Sequence, residues 1–318
     1  MTTRPLWINT PPAVFPVCLG LLGLGIGWRA ASNIVPAAYD IGGLLLGLAS
    51  AYFLFFLAFY LRKILKRPAV VFEDMRSAPA RAGIAAAAMS MMMLAAAFLP
   101  FGIYVPQVWW TGVVLQIAAS VVVCNAIWAE APDDRQFSPF QYLTFVGPVV
   151  GPIAGIPLGY ITESIILTFA ALVAHVIITI GYGLHLWRTR PNVALRPSLV
   201  IFLAPNCLFA ISFGLLGIDW LFYMFYWIAN AVALVFVVLI PWICKGGWSP
   251  FWAAFTFPTA AFLNVQVMAV AKGEGIFATI GVYAGMAVAT PLILIIAYRF
   301  VLMWVTGDLA RVTESASA

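Results

Sequence analysis

His175 and His185 are the first side chains in this sequence to test for chemistry, because an imidazole can ligate a metal or shuttle a proton near neutral pH. They stand ten residues apart on one apolar helix, with no carboxylate inside that helix to pair with either. His175 therefore reads as a packed or interhelically bonded ring, and His185, beside Trp187 and Arg188, as an interfacial one. Cys18, Cys124, Cys207 and Cys244 sit singly in apolar surroundings without metal-ligand spacing, so they read as small buried side chains. Asp40, Glu163 and Asp219 fall at the starts of apolar runs, where they cap or face water. No converging acid–base pair or metal cluster emerges. The expectation is a protein that is not an enzyme and carries no cofactor or metal.

The deeper polar groups are amides, Asn206, Asn230 and Asn264, whose ordinary use is an interhelical hydrogen bond. Lys272 sits at the far end of a span, where it either draws anions toward an outer mouth or snorkels to the interface. A conduit with such walls would hold no fixed buried charge. Anion selectivity would then rest on hydroxyls, amides, helix dipoles and basic approaches. A wall without a tightly binding charge also releases its ion, which favours passive flux over coupled transport.

The elements that must position these groups are membrane helices. The chain is 64% hydrophobic and only 8% charged, against about a quarter charged in soluble domains. A chain this apolar cannot clothe a globule in polar surface. At roughly 20 residues per crossing, the apolar runs divide into ten spans near 12–30, 40–61, 82–99, 107–129, 141–160, 162–187, 197–217, 220–241, 251–271 and 275–303. Helices are required because backbone polar groups in lipid must be satisfied internally and no strand-period alternation is present. The whole chain, 1–318, reads as one transmembrane domain. With ten spans both termini share a face, and fourteen of the sixteen basic residues fall there, leaving Arg29 and Lys272 opposite. The positive-inside bias places that face in the cytoplasm. Basic loops beside anionic lipid account for the +5 formal charge without nucleic acid.

The odd spans recur at intervals that settle near about 55 residues, which suggests five helical hairpins. Odd spans carry most of the interruptions: Pro16, Pro148 and Pro152, Pro205, and Pro258. Each internal proline frees a carbonyl and bends its helix, which is tolerated where protein or water satisfies the freed group. The inference is an inner set of kinked helices around one central pore and an outer set facing lipid. Small residues in "GLLGLGIG" (20–27) and "GPVVGPIAG" (147–155) permit close helix approach.

Three stretches, "PPAVFPVCLGL", "IFLAPNCLFAISF" and, most specifically, "PFWAAFTFPTAAF" at 250–262, fall on the first, seventh and ninth spans. With the ten-span plan, they resemble the tellurite-resistance and dicarboxylate transporter family, which includes the plant slow-type anion channels and their bacterial homologues. The resemblance implies a homotrimer with one pore per protomer, built by the odd helices, in a bacterial inner membrane. It implies that the phenylalanine before the ninth-span proline, Phe257, plugs the pore, with Pro258 as its hinge. Phe262 flanks the pore or fills a neighbouring helix, and Phe255 packs. Gly20 matches a position where a small residue admits close packing beside the pore, and Pro16 stands where relatives have glycine. The implied function is a gated channel for small inorganic anions such as chloride and nitrate. The alternative is a proton-coupled carrier for C4-dicarboxylate, sulfite or tellurite-related anions.

Overall fold

The computed structural model describes residues 5–129, 137–313 and 315–316. Arg4 and Arg135, counted above on the basic face, lie outside them. Among the described residues there is no strand. The helices are α1 (Phe15–Ala30), α2 (Ala38–Lys66), α3 (Val70–Asp74), α4 (Ala78–Phe98), α5 (Pro106–Ala129), α6 (Gly151–Gly155), α7 (Ile161–Arg188), α8 (Leu203–Leu215), α9 (Asp219–Ile243), α10 (Thr256–Ala271), α11 (Ile276–Thr306) and α12 (Asp308–Val312). Nine spans among the described residues are long and apolar enough to cross a membrane, with ends within a few residues of those expected. The chain is an all-α integral membrane protein.

The fifth span departs from a continuous helix. Expected over 141–160, it is instead a π turn (Tyr142–Val146), a 3-10 turn (Gly147–Val150) and the short α6. Pro148 has no N–H for the carbonyl four residues earlier, Thr144. Side chains from neighbouring helices make good the deficit. Gln116 Nε2 donates to the carbonyls of Leu143 at 2.9 Å and Thr144 at 2.8 Å, and Ser120 Oγ donates to Thr144 at 2.8 Å. Trp109 Nε1 donates to the Gly151 carbonyl at 2.9 Å, and Ser212 Oγ to that of Val149 at 3.2 Å. Polar residues on α4's partner α5 and on α8 thus act as donors for a backbone that cannot satisfy itself in lipid.

The prolines also sit differently from mid-helix kinks. Three inner spans begin as 3-10 helix, over Pro12–Val14, Val193–Phe202 and Pro250–Phe255, and become α-helical at α1, α8 and α10. Pro16, Pro152, Pro205 and Pro258 are each the second or third residue of their α segments. An N–H in the first turn has no intrahelical α partner to lose, so proline is tolerated there. Proline alone does not mark the inner set, because Pro241 and Pro291 lie inside α9 and α11.

Burial separates inner from outer. In the most apolar stretch of each span, 67% of residues are buried for the first, 72% for α4, 83% for the α8 span and 67% for the α10 span. The corresponding shares for α2, α5, α7, α9 and α11 are 33%, 28%, 33%, 11% and 39%. Inner elements touch in sequence order, α1 to α4, α4 to the fifth span, that span to α8, and α8 to α10. Contact between α10 and α1 closes the ring. Each inner element pairs with the outer helix that follows it. Two of the hairpin links, α6–α7 and α8–α9, reverse at left-handed glycines, Gly159 (φ 91°) and Gly217 (φ 73°). In each the following N–H reaches back five residues, Tyr160 to Gly155 at 2.8 Å and Ile218 to Phe213 at 2.9 Å, the Schellman closure that lets a helix end without spare residues.

Replacing Gln116 with Leu should strip Leu143 of its side-chain donor and destabilise the protein by about 1–3 kcal/mol. Thermal unfolding in detergent checks this against Val114→Ala on the exposed face of the same helix.

Candidate functional site

The ninth-span motif packs against the first span along a seam of glycines. Gly20 lies against Thr256, Gly23 against Ala260 and Phe257, and Gly27 against Leu263 and Asn264. These three positions share one face of α1, while Gly25 faces Leu46 of α2. Close approach lets α10 side chains bond directly to α1 backbone. Thr256 Oγ1 reaches the Pro16 carbonyl at 3.0 Å, and Asn264 Nδ2 reaches that of Gly23 at 2.8 Å. The Phe257 ring lies over the bare backbone of Gly23, with two ring carbons 3.5 Å from where a Cβ would stand.

Two cavities lie on the axis of the inner ring. The first, about 80 Å³, opens on the face that holds the starts of the inner helices. Pro16, Ala82, Val146, Ala204 and Pro258 line it, so all five inner elements contribute. The second, about 290 Å³, lies toward the opposite ends of the same helices, between Ala30, Met93, Ile153, Leu215 and Ala271. Phe257 and Leu208 are the side chains common to both linings. Phe257 is 7% exposed and Leu208 3%. Neither lining contains a charged residue, so the path has neutral walls.

The residues singled out in the sequence divide accordingly. Pro16, Pro205, Pro258 and Phe257 line the first cavity, and Phe257 and Asn264 the second. Pro148 and Pro152 do not line either; the wall there is Gly147, Val149 and Ile153. Gly20 lies behind the wall in the helix seam, and Phe262 is half-buried among apolar neighbours outside both linings. Phe255 is buried with its ring 5.4 Å from that of Trp252. Asn206 turns back to the Phe202 carbonyl at 2.9 Å. Asn230 joins Gln266 at 2.8 Å, and Gln266 in turn accepts from Tyr226 at 3.1 Å. Both N–H groups of Asn264 are used on carbonyls, those of Gly23 and Ala260 at 2.8 Å each, so no amide donor is left for a solute. Lys272 is ion-paired with Asp219 at 2.5 Å and sits over the Phe222 ring. Its charge is therefore largely offset at the mouth. His175 packs between the rings of Tyr142 and Phe209.

Leu208 and Gly23 are site residues that the motif did not reveal. Both stand in quoted stretches, yet an interior leucine and one glycine of four carry no sign of which neighbour they meet.

A family model described as the voltage-dependent anion channel (SLAC1) matches residues 9–305. The chain belongs to that family. No curated protein matches it. Membership makes this a membrane protein of an anion channel or transporter class rather than of an enzyme family, and the matched region contains every element of the ring.

A methyl group at Gly20 would stand 2.5 Å from Thr256 Cβ and 2.9 Å from its backbone carbon. Gly20→Ala should force α1 and α10 apart and cost about 1–3 kcal/mol. At Gly23 the nearest atom is the Ala260 methyl at 3.1 Å, so Gly23→Ala should shift the thermal unfolding midpoint far less in the same assay.

Proposed function

We propose that the protein is a passive channel for small inorganic anions such as chloride and nitrate, with Phe257 closing the path against Leu208. One observation carries this reading. The same two buried side chains, Phe257 and Leu208, line both cavities, which puts apolar groups at the boundary between the two parts of the axial space. A constriction of this kind blocks by excluding water, and an ion cannot cross it without shedding hydration. Phe257 is the second residue of α10, directly after the 3-10 segment. On one side its ring lies over Gly23, where the absent side chain leaves room for it to swing. Pro258 fixes the junction that carries it.

The uncharged linings support flux of anions without tight binding, and the basic residues of the 62–81 segment give one approach a favourable potential. The family resemblance supports a homotrimer with one pore per protomer in a bacterial inner membrane, and the positive-inside bias supports a cytoplasmic basic face. Lipid or a second copy would cover the apolar outer faces of α7 and α9, where Ile166, Ile180, Leu234 and Val238 are exposed.

Planar-bilayer recording of the purified protein tests the reading. Phe257→Ala should turn a low basal chloride or nitrate current into a large ohmic one, and Leu208→Ala should do so to a smaller degree. A folded Phe257→Ala protein with the wild-type baseline would refute the gate. Flux that saturates and requires a proton gradient would assign the carrier class instead.

A further inference from the structure

Lys63, one of the fourteen basic residues of the cytoplasmic-side face expected from sequence, and Asp74 beside it are both fully buried. Lys63 Nζ lies 3.5 Å from Asp74 Oδ2 and donates to the Thr10 carbonyl at 3.2 Å and to Ser315 Oγ at 3.3 Å. Tyr60 OH donates to the same carboxylate oxygen, Oδ2, at 3.1 Å. The other oxygen, Oδ1, accepts from Ser315 Oγ at 3.0 Å and from the backbone N–H of Ala316 at 2.8 Å. Among the described contacts, Oδ1 has donors only from the segment that follows α11.

That segment is turned back by Gly307, whose φ of 79° ends α11 in the left-handed conformation. It continues as α12, with Leu309 fully buried, and Thr313 then forms part of the lining of the first cavity. The rest of that rim is apolar, from Ala13, Pro79, Phe140 and Phe251. A hydroxyl-bearing segment thus reaches the lining of an apolar vestibule, anchored by buried Leu309 and, at its far end, by the hydrogen bonds of Ser315 and Ala316 to the Lys63–Asp74 pair. Hydrogen bonds to a charged carboxylate suit a reversible latch. When the segment lifts, water can hydrate the exposed carboxylate, whereas a closed pair deprived of one partner leaves a buried charge.

We propose that residues 308–313 with Ser315 and Ala316 form a strap over the basic-face mouth of the pathway, latched by hydrogen bonds to the buried Lys63–Asp74 pair and acting in series with Phe257. This rests on the channel reading for its purpose, but its geometry can be tested by chemical access instead of current. In a chain with the four native cysteines replaced, Ala204→Cys places a thiol in the wall of the first cavity and Ala271→Cys one in the second. Each is treated in detergent with a charged methanethiosulfonate reagent. Ending the chain after Gly307 should speed modification at position 204 by about tenfold or more, the scale set by losing charge-assisted hydrogen bonds. Asp74→Asn should speed it in the same direction, and position 271 should keep its rate in both. Unchanged rates at 204, equal acceleration at both positions, or acceleration by truncation with Asp74→Asn at the wild-type rate would each overturn the latch. In a Phe257→Ala background, truncation should add further current. An accelerated thiol with no current in any variant would sink the channel reading and leave the strap standing.

Discussion

Everything in this fold answers to one constraint, that a backbone carbonyl or N–H in hydrocarbon must find a partner inside the protein. A ring of uninterrupted helices would meet it trivially and leave no feature at mid-depth. This chain instead breaks four of its five inner spans, with 3-10 turns leading into α-helix and proline placed in the first α turn. The resulting deficit is met from outside the broken segment. Gln116, Ser120, Ser212 and Trp109 serve the fifth span, and Thr256 and Asn264 tie α10 to α1 carbonyls. The scarce polar residues of a highly apolar chain are therefore mostly committed to backbone, which is why the pathway is left with neutral walls.

The same commitment explains how an aromatic ring comes to stand on the axis. Glycine at positions 20, 23 and 27 strips one face of α1, and α10 settles against it closely enough for side-chain donors to reach α1 carbonyls. Packing of this type holds membrane helices together without a hydrophobic driving force between them. Phe257 emerges at the top of that seam with glycine on one side and Leu208 within the shared wall. The seam fixes the backbone tightly while the ring itself meets a shallow surface.

Charge is handled in two distinct ways. At the ends of the pathway it is paired, Lys272 with Asp219 on one side and Lys63 with Asp74 on the other. The first pair is partly exposed, and its contribution to stability is modest by the general behaviour of surface pairs. The second is fully enclosed and ties the segments near residues 10, 74 and 315 into one cluster on the face where the inner helices begin. A buried pair is costly to desolvate, and this one is enclosed by hydrogen bonds to Tyr60, Thr10, Ser315 and Ala316.

Hydropathy and length determined the membrane class, the number of crossings and their approximate ends, because the thickness of the hydrocarbon layer imposes a repeat that composition alone must honour. The alternation of inner and outer helices was legible from the order of the spans, although Pro241 and Pro291 show that prolines alone do not mark it, and the ninth-span motif drew attention to Phe257, which lines both cavities. Local pattern could not show that Pro258 begins an α segment or that the fifth span is stitched together by Gln116. Nor could it show that Lys63 is enclosed while other basic residues of the same segment are exposed. Each of these depends on partners distant in sequence, such as Thr10 and Ser315 for Lys63. A side chain's type fixes what bonds it can make, but only the packed ring decides which atom stands close enough to make them.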